Sequence, residues 1–230
     1  MKTYLAFVLA FCFSSHLCFS VTNLDSLDKA TPCPADTASV NKLLKLAESF
    51  IRKDEKAAEF LSGKAYRMAV LTGDKSCHFF ASIGLASRLI SQGDYIQASS
   101  YLLESLKLAE ELNSNEKIAK ACINLGNLYG AQNQGQSALP YYEKALNYYK
   151  SAKNKKGVAV VLSNIGNIYY AGSTDKKNLI RAADYYLQVM EIERILKDTA
   201  KLIDISNKMA LVYSDMGKNK EALNLLKESK

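Results

Sequence analysis

The chain has 230 residues, of which 48% are hydrophobic and 23% charged, and its formal net charge is +7. This length is sufficient to bury one continuous core. The positive excess is modest and spread over the chain, which argues against a nucleic-acid-binding protein, whose basic residues cluster on one face.

Residues 1–20 have the features of a signal peptide. Lys2 supplies a positive charge, and residues 4–12 form an apolar stretch that is too short to span a bilayer. Small residues then stand one and three positions before a cleavage site ahead of Val21. The sequence therefore predicts a secreted or periplasmic protein, and the alternative is an uncleaved membrane anchor.

An extended lead-in and ten helices are predicted after the signal peptide. Residues 21–36, with two prolines, form the lead-in, and residues 37–230 form one all-α region separated into helices by Gly, Asn and Asp. The predicted helices are 39–52, 54–71, 77–91, 95–112, 116–131, 135–151, 156–171, 179–196, 199–216 and 219–229.

Small residues recur through these helices at an interval of about 40 residues. Asn-Leu-Gly-Asn-Leu-Tyr at 124–129 returns as Asn-Ile-Gly-Asn-Ile-Tyr at 164–169. Antiparallel helices approach closely where side chains are small, so each small residue predicts a helix crossing. Tyrosines three residues after the small position, such as Tyr129 and Tyr169, are predicted to fill the space beside it. The recurrence predicts a right-handed α-solenoid of about five helix–turn–helix units.

These repeats resemble the tetratricopeptide repeat family. The resemblance covers roughly residues 39–230 and is strongest over 117–190, whereas 39–75 match weakly because Leu46 occupies the small-residue position. The family's Trp is absent, no proline closes the units, and a spacing of 40 exceeds the common 34. Units of this length are similar to those of kinesin light chains, LGN-type adaptors and the sensor regions of bacterial signalling proteins.

The first helix of each unit would line the inner wall of such a solenoid. Relative to each small residue, the positions six before, two before, one after and five after share the opposite, solvent-facing stripe of the helix. In the third and fourth units these are Lys120, Asn124, Asn127 and Ala131, then Val160, Asn164, Asn167 and Ala171. The flanking units supply Phe80, Gly84, Ser87 and Ser91, then Asp204, Lys208, Leu211 and Asp215.

The paired asparagines are the sharpest functional signal. Asparagine is a mediocre helix former, and its carboxamide both donates and accepts, so it can pair with a peptide backbone of any sequence. In the resembling adaptors, asparagines at this register grip extended peptides, which implies that role for Asn124, Asn127, Asn164 and Asn167. The alternative is that these side chains bond to neighbouring helices and fix their stacking.

Two lysines and one tyrosine complete the predicted groove. Lys120 and Lys208 either attract an acidic peptide or are ordinary solvated lysines. Four tyrosine doublets occur, and one member of each falls at a repeat core position, so packing explains most of them. Tyr170 is the best exposed candidate for the groove.

Three cysteines follow the signal peptide. Cys33 precedes the first predicted helix and Cys77 begins the third. Because chain direction alternates between helices, both lie at the same edge, and a Cys33–Cys77 disulfide is geometrically reasonable. Cys122, four residues before Gly126, is interpreted as a buried small residue.

No constellation typical of an enzyme is present in the sequence. His78 is the single histidine after residue 20, and there is no Gly-x-Ser-x-Gly motif. The cysteines lack zinc-site spacing, and no glycine-rich phosphate loop occurs. We predict no catalysis, no metal and no cofactor, and we interpret His78 as a helix-start residue.

Two function classes follow. The first is an exported, non-enzymatic scaffold that binds a peptide or protein segment in the concave groove. The second is the sensor portion of a bacterial signal-transduction protein without its membrane and output domains. The chain stops within its last helix, where Leu223, Leu225 and Leu226 would be open to a partner or to a second copy in a homodimer. A carbohydrate-handling helical enzyme is a third class.

Overall fold

The computed structural model describes residues 24–31, 36–51, 53–171 and 173–228. All regular secondary structure in these ranges is α-helical. The helices are α1 (Leu24–Ala30), α2 (Thr37–Phe50), α3 (Glu55–Thr72), α4 (Lys75–Gln92), α5 (Tyr95–Glu111), α6 (Asn115–Ala131), α7 (Gly135–Ser151), α8 (Lys155–Tyr170), α9 (Lys176–Leu196), α10 (Thr199–Asp215) and α11 (Asn219–Glu228). The predicted signal peptide 1–20 lies outside the described residues.

Local capping interactions explain where the helices begin and end. At the start of α4, for example, Asp74 Oδ1 accepts the backbone N–H groups of Ser76 at 2.8 Å and Cys77 at 2.9 Å. At the ends of α3 and α4, Gly73 and Gly93 adopt left-handed backbone conformations, with φ of 69° and 80°. These polar residues and glycines are the breakers from which the helix boundaries were predicted.

The helices form two compact units. The first ends at Leu112, and its described part contains α1 and the pairs α2–α3 and α4–α5. The second begins at Asn113 and contains the pairs α6–α7, α8–α9 and α10–α11. Within each unit, helices consecutive in sequence pack against each other from α2 onward. The predicted all-α class and the five predicted helix pairs are confirmed.

The predicted helix crossings are confirmed at both glycines of the second unit. A Cβ atom added at Gly126 would lie 2.6 Å from Tyr142 Cε1, and one at Gly166 would lie 2.5 Å from Tyr186 Cε1. Each glycine therefore faces a tyrosine ring from the second helix of its own pair. Without a glycine at these positions, the rings could not lie so close to the first helix.

The prediction that Tyr129 and Tyr169 fill the space beside these glycines is wrong. Tyr129 stacks on Tyr141 with ring centroids 5.5 Å apart, and Tyr169 stacks on Tyr185 at 5.7 Å. The empty Cβ position of a glycine points toward the partner helix, so the facing helix supplies the ring that occupies it.

The extended conformation predicted for residues 21–36 is also wrong where the structure describes this segment. Leu24–Ala30 form helix α1, and Leu27, which is 9% exposed, joins the core that also contains Val40 and Leu61. Lys64 ties α1 to α3 by donating to Asp28 Oδ1 at 2.5 Å. The two prolines follow α1 in sequence and lie outside the described residues.

None of the described helices combines the length and the apolar character that crossing a bilayer requires.

Candidate functional site

The predicted groove residues lie on the first helices of the three pairs in the second unit. Hydrogen bonds connect these helices in order, from α6 to α8 through Asn127 and Asn164, and from α8 to α10 through Tyr170 and Asp215. We call the surface of α6 and α8 that carries the four asparagines the asparagine face; its residues are Asn124, Asn127, Asn164 and Asn167.

Asn127 is the best connected residue of the asparagine face. Its Oδ1 accepts a hydrogen bond from Tyr142 Oη at 2.8 Å and another from Asn164 Nδ2 at 3.1 Å. Both donors approach the oxygen side of the carboxamide, so the Nδ2 of Asn127 points away from them. Asn127 is exposed, and among the described residues its Nδ2 has no hydrogen-bond acceptor. Two N–H groups are therefore presented to solvent in a fixed orientation.

Asn167 repeats this arrangement one helix pair later. Its Oδ1 accepts a hydrogen bond from Tyr186 Oη at 2.8 Å. Within the described part of the chain its Nδ2 donates to no acceptor, as at Asn127. The two helix pairs thus hold two carboxamides at equivalent positions, each with its oxygen bonded to a tyrosine and its nitrogen available.

The tyrosine hydroxyls reach the asparagine face because their rings pass beside a glycine. Tyr142 is 3% exposed and Tyr186 is completely buried, and each ring packs on the glycine that precedes the asparagine in sequence. Burial raises the pKa of Tyr142 to about 12, and it raises the pKa of Tyr186 further above the usual range. Both hydroxyls therefore stay protonated near neutral pH and donate to the asparagine oxygens.

The other two asparagines have mainly structural contacts. Asn124 Nδ2 donates to the backbone oxygen of Lys120 in its own helix at 2.8 Å. Asn164 uses its Nδ2 to bond Asn127 across two helices, which is the stacking role that sequence analysis kept as an alternative. The structure thus separates four residues that the sequence pattern treated as equivalent.

The predicted lysines and Tyr170 already have partners. Lys120 Nζ lies 2.9 Å from Glu116 and Lys208 Nζ lies 3.1 Å from Asp204, each pair one turn apart on the same helix. Tyr170 Oη donates to Asp215 Oδ2 at 2.9 Å. A carboxylate balances each lysine, so the charge attraction predicted for an acidic peptide is weak at these two positions.

The roles of Tyr142 and Tyr186 as orienting groups were not predicted. The sequence pattern indicates core positions for both, which is correct for the rings, but the hydroxyl contacts reach beyond the core. The signal was available in the coincidence of a Gly-Asn dipeptide on the first helix with a tyrosine at the matching position of the second. In the first unit, Ala86 and Ser87 replace the dipeptide, and Leu102 replaces the tyrosine.

A polar cluster of the first unit surrounds Glu104. Tyr66 Oη donates to both carboxylate oxygens at 3.0 and 3.1 Å, and Ser82 Oγ donates to Oε2 at 3.1 Å. His78 Nε2 lies 3.3 Å from Oε1, so the residue interpreted as a helix-start histidine also contacts a neighbouring helix. Ser82 Oγ also lies 3.0 Å from the backbone oxygen of His78. The contacts of Tyr66, Ser82 and His78 with one carboxylate tie α3, α4 and α5 together.

The cysteine predictions have different outcomes. Cys122 is 1% exposed, which confirms it as a buried small residue. Cys77 is a buried thiol, and burial raises its pKa. Cys33 lies outside the described residues, so the Cys33–Cys77 disulfide stays a prediction. Among the described residues, no group of three or more His, Cys, Asp or Glu side chains is arranged to hold a metal ion.

Comparison with known proteins identifies the fold. Residues 79–151 match the tetratricopeptide repeat family. This stretch includes α5, α6, α7 and most of α4. No curated protein sequence matches the chain.

Solved structures extend the likeness to most of the chain. BtubC (BKLC) from P. vanneervenii has a TM-score of 0.68 at 22% identity, over 91% of this chain and 85% of its own. A putative kinesin light chain from Podosopora anserina with nearly identical TPR-like repeats has a TM-score of 0.64 at 16% identity, over 84% of this chain and 93% of its own.

A third structure is a much larger protein. It is the Pyrococcus horikoshii signal transduction ATPase with numerous domains, which carries a tetratricopeptide repeat sensor. Its TM-score is 0.66 at 17% identity, over 88% of this chain but only 31% of that protein. The resemblance to tetratricopeptide repeat proteins, including those of the kinesin light chain type, is therefore confirmed at the level of the fold. This fold is typical of protein–protein interaction scaffolds.

Proposed function

We propose that this protein is an exported, non-enzymatic scaffold that binds an extended peptide, or an extended segment of a partner protein, on the asparagine face. The observation that supports this proposal is the pair of carboxamides at Asn127 and Asn167. Each is held through its oxygen by a buried tyrosine, and neither amide nitrogen has an acceptor within the described residues. Asn127 is exposed and Asn167 is half-buried.

The geometry favours a peptide backbone as the bound group. A backbone carbonyl accepts hydrogen bonds irrespective of side chain, and Asn127 and Asn167 each offer two N–H donors. Because the tyrosines fix the carboxamide orientation before binding, little side-chain entropy is lost when the peptide arrives. Exposed apolar residues at neighbouring groove positions, Val160 at 42% and Leu211 at 55%, supply contacts for peptide side chains.

The test begins with peptides selected from a random library on the chain that starts at Val21. In the double variant Asn127→Ala and Asn167→Ala, we expect the dissociation constant of a selected peptide to rise about 30-fold, from two lost hydrogen bonds of about 1 kcal/mol each. Asn147→Ala combined with Asn207→Ala is the matched control, since both residues are exposed and lie outside the asparagine face. An unchanged dissociation constant in the Asn127 and Asn167 variant would contradict the proposal.

A second variant separates orientation from the presence of the amide. Tyr142→Phe combined with Tyr186→Phe keeps both carboxamides but removes the hydroxyls that hold them. We expect the same peptide to bind about 5-fold more weakly, because each carboxamide must then be ordered on binding. Binding equal to wild type would show that the tyrosines do not prepare the site.

Export rests on residues 1–20 and is a separate part of the proposal. Expression of the full chain in a secreting host, followed by mass determination, should give a protein that begins at Val21. A protein that retains Met1 and stays in the cytosol would refute export without affecting the asparagine face.

The second candidate function is the sensor portion of a signal-transduction protein. It is supported by the structural likeness to the sensor-bearing ATPase, which covers 88% of the residues of this chain. Reading the genomic frame beyond Lys230 tests it directly. An apolar segment of about 20 residues followed by an output domain would favour the sensor, and a stop codon would favour the scaffold.

A further inference from the structure

The second unit contains a shallow depression that shares no residue with the asparagine face. It has a volume of about 340 Å³ and lies where the end of α7 and the start of α8 meet α9. We call it the basic depression; it is lined by Tyr149, Lys150, Lys153, Lys155, Val158 and Ile192.

The floor of the basic depression is apolar and recessed. Tyr149 is 5% exposed, and its ring packs directly against the backbone of Gly157, where a Cβ atom would overlap it. Val158 and Ile192 are partly buried beside it. Gly157 therefore allows the ring to pack closely against α8, so that the floor stays recessed.

Three lysines form the rim, and none of them forms an ion pair within the described residues. Glu116, a carboxylate whose charge acts on Tyr149, is itself paired with Lys120. Lys150, Lys153 and Lys155 are all exposed. In the described parts of the chain, none of their ammonium groups has an ion pair or a hydrogen bond. Lys120 and Lys208 on the first helices differ in this respect, since each has a carboxylate partner. The positive potential at the basic depression is therefore available to a partner.

The backbone of Lys153 adopts an energetically unfavourable conformation. Its φ is +52°, in the left-handed region that side chains with a Cβ disfavour. The corresponding turns after α5 and α6 have Asn113 and Asn133 in the same conformation, which asparagine tolerates better, and the turn after α9 has Lys197. Lysine at this position lowers local stability, and such positions are often associated with function.

We propose that the basic depression is a second binding site, which takes an acidic protein segment that carries one large apolar side chain. The apolar side chain fills the space above Tyr149, Val158 and Ile192, and flanking carboxylates meet the three lysines. Because the rim is positively charged, the partner segment must carry negative charge. Because the apolar floor is recessed, the partner must insert a side chain to reach it.

Two other classes of partner fit the basic depression less well. A membrane surface is bound by apolar side chains that project from the protein, whereas here the apolar groups are recessed. Single-stranded nucleic acid stacks its bases on exposed aromatic rings, whereas Tyr149 is 5% exposed. Both classes remain as outcomes of the experiment.

The probe is a synthetic fluorescein-labelled peptide, Asp-Glu-Asp-Phe-Glu-Asp-Glu, whose binding is followed by fluorescence anisotropy. We expect Lys150→Gln combined with Lys155→Gln to weaken binding at least 10-fold. Lys176→Gln combined with Lys177→Gln at the start of α9 is the control and should leave binding unchanged. Replacing the peptide's Phe with Ser should weaken binding at least 5-fold, because the apolar floor then has no occupant.

Lys153→Asn separates binding from folding. Asparagine suits the left-handed turn better, so this variant should be at least as stable as wild type and yet bind the peptide about 3-fold more weakly. The same lysine substitutions are also made in a protein that carries Asn127→Ala and Asn167→Ala, which removes binding of the peptide to the asparagine face. The loss caused by the lysine substitutions should persist there, which makes the result independent of the proposed function.

Several outcomes would overturn the proposal. One is equal binding to wild type and to the Lys150 and Lys155 variant. Equal binding of the Phe and Ser peptides would reduce the site to a general attraction between opposite charges. Binding of oligo(dT) or of phosphatidylserine vesicles at the same lysines, without binding of the peptide, would replace the acidic segment with a nucleic acid or a membrane.

Discussion

The pairs α4–α5 and α6–α7 belong to different units and form their helix crossings with different residues. In α6–α7, Gly126 faces the ring of Tyr142. In α4–α5 the corresponding residues are Ala86 and Leu102, and both are completely buried. Either combination produces a close-packed pair, so core packing alone does not explain why α6–α7 has glycine and tyrosine.

The difference appears at the residue after the small one. In α6 this is Asn127, whose oxygen is held by the tyrosine from α7. In α4 it is Ser87, whose hydroxyl donates to the backbone oxygen of Ile83 in its own helix at 2.9 Å. Leucine has no hydroxyl to offer, so the first unit cannot orient a polar group on this face. Glycine thus makes room for a ring, and the ring carries a hydrogen bond from the core to the surface.

A second contrast concerns two inward-facing glutamates. Glu104 of the first unit accepts hydrogen bonds from Tyr66 and Ser82, and its side chain is 33% exposed. Glu193 of the second unit is 2% exposed, and its Oε2 has no hydrogen-bond partner. A satisfied carboxylate stabilises the helices that surround it, whereas a buried and unsatisfied one destabilises them.

The largest effect is expected from Glu104→Ala. This change removes the acceptor for two hydroxyl donors and the neighbour of His78, so the free energy of unfolding should fall by about 3 kcal/mol, measured by urea denaturation. Glu110→Ala, an exposed position on the same helix, is the matched control and should change stability little. Equal stabilities of the two variants would show that the Glu104 cluster does not hold α3, α4 and α5 together.

Gly126→Ala tests the crossing itself. The added Cβ would overlap the Tyr142 ring, and overpacking costs about 1–3 kcal/mol, which exceeds the gain of about 1 kcal/mol in helix propensity. We expect a net loss of about 1–2 kcal/mol in the free energy of unfolding.

The double variant Gly126→Ala and Tyr142→Leu converts this crossing into the residues found in α4–α5. It should recover most of the stability lost in the single variant, because the ring no longer meets the new Cβ. It should nevertheless lose peptide affinity, since the oxygen of Asn127 then has no tyrosine donor. A double variant no more stable than the single one would contradict the assigned contact.

The smallest effect is expected from Glu193→Met. Burial raises the pKa of Glu193 above its ordinary value of 4.5, so the folded protein keeps this proton at pH values where the unfolded chain has released it. The wild-type protein therefore loses stability relative to the variant as pH rises above about 4.5. At pH 7 we expect the variant to be more stable by about 1 kcal/mol.

Thermal denaturation at several pH values between about 4 and 8 checks this dependence. The stability difference between Glu193→Met and wild type should be small at the acidic end and should grow toward neutral pH. Glu191→Met, at an exposed position of the same helix, provides the control. A difference that stays constant with pH would show that the ionisation of Glu193 is not its source.

The helices and their pairing were predictable because their signals are local or periodic. Capping residues such as Asp74 act on the next turn of the chain, and Gly73 ends a helix through its own backbone conformation. The short helix α1 escaped prediction because two nearby prolines suggested an extended segment, and its single deeply buried leucine is a weak periodic signal.

The orientations of the asparagines were not predictable in the same way. The sequence pattern treats Asn124, Asn127, Asn164 and Asn167 as equivalent positions on one face. The hydrogen bonds of these carboxamides to neighbouring helices involve partners 15 to 37 residues away in sequence. The sequence pattern contains no information on the direction of a hydroxyl or an amide group. The same limit explains why Tyr129 was assigned to a space that Tyr142 occupies.

By itself, the sequence determined that this protein is all-α, that its helices form five pairs, and which residues share the face of α6 and α8. These properties follow from propensity, capping and a repeating pattern of small side chains, all of which act along the chain. Only the tertiary structure decided that tyrosines hold the oxygens of Asn127 and Asn167 and that three lysines without ion pairs surround an apolar floor. Those arrangements depend on contacts between facing helices, where a difference of one methyl group determines which side chain fits.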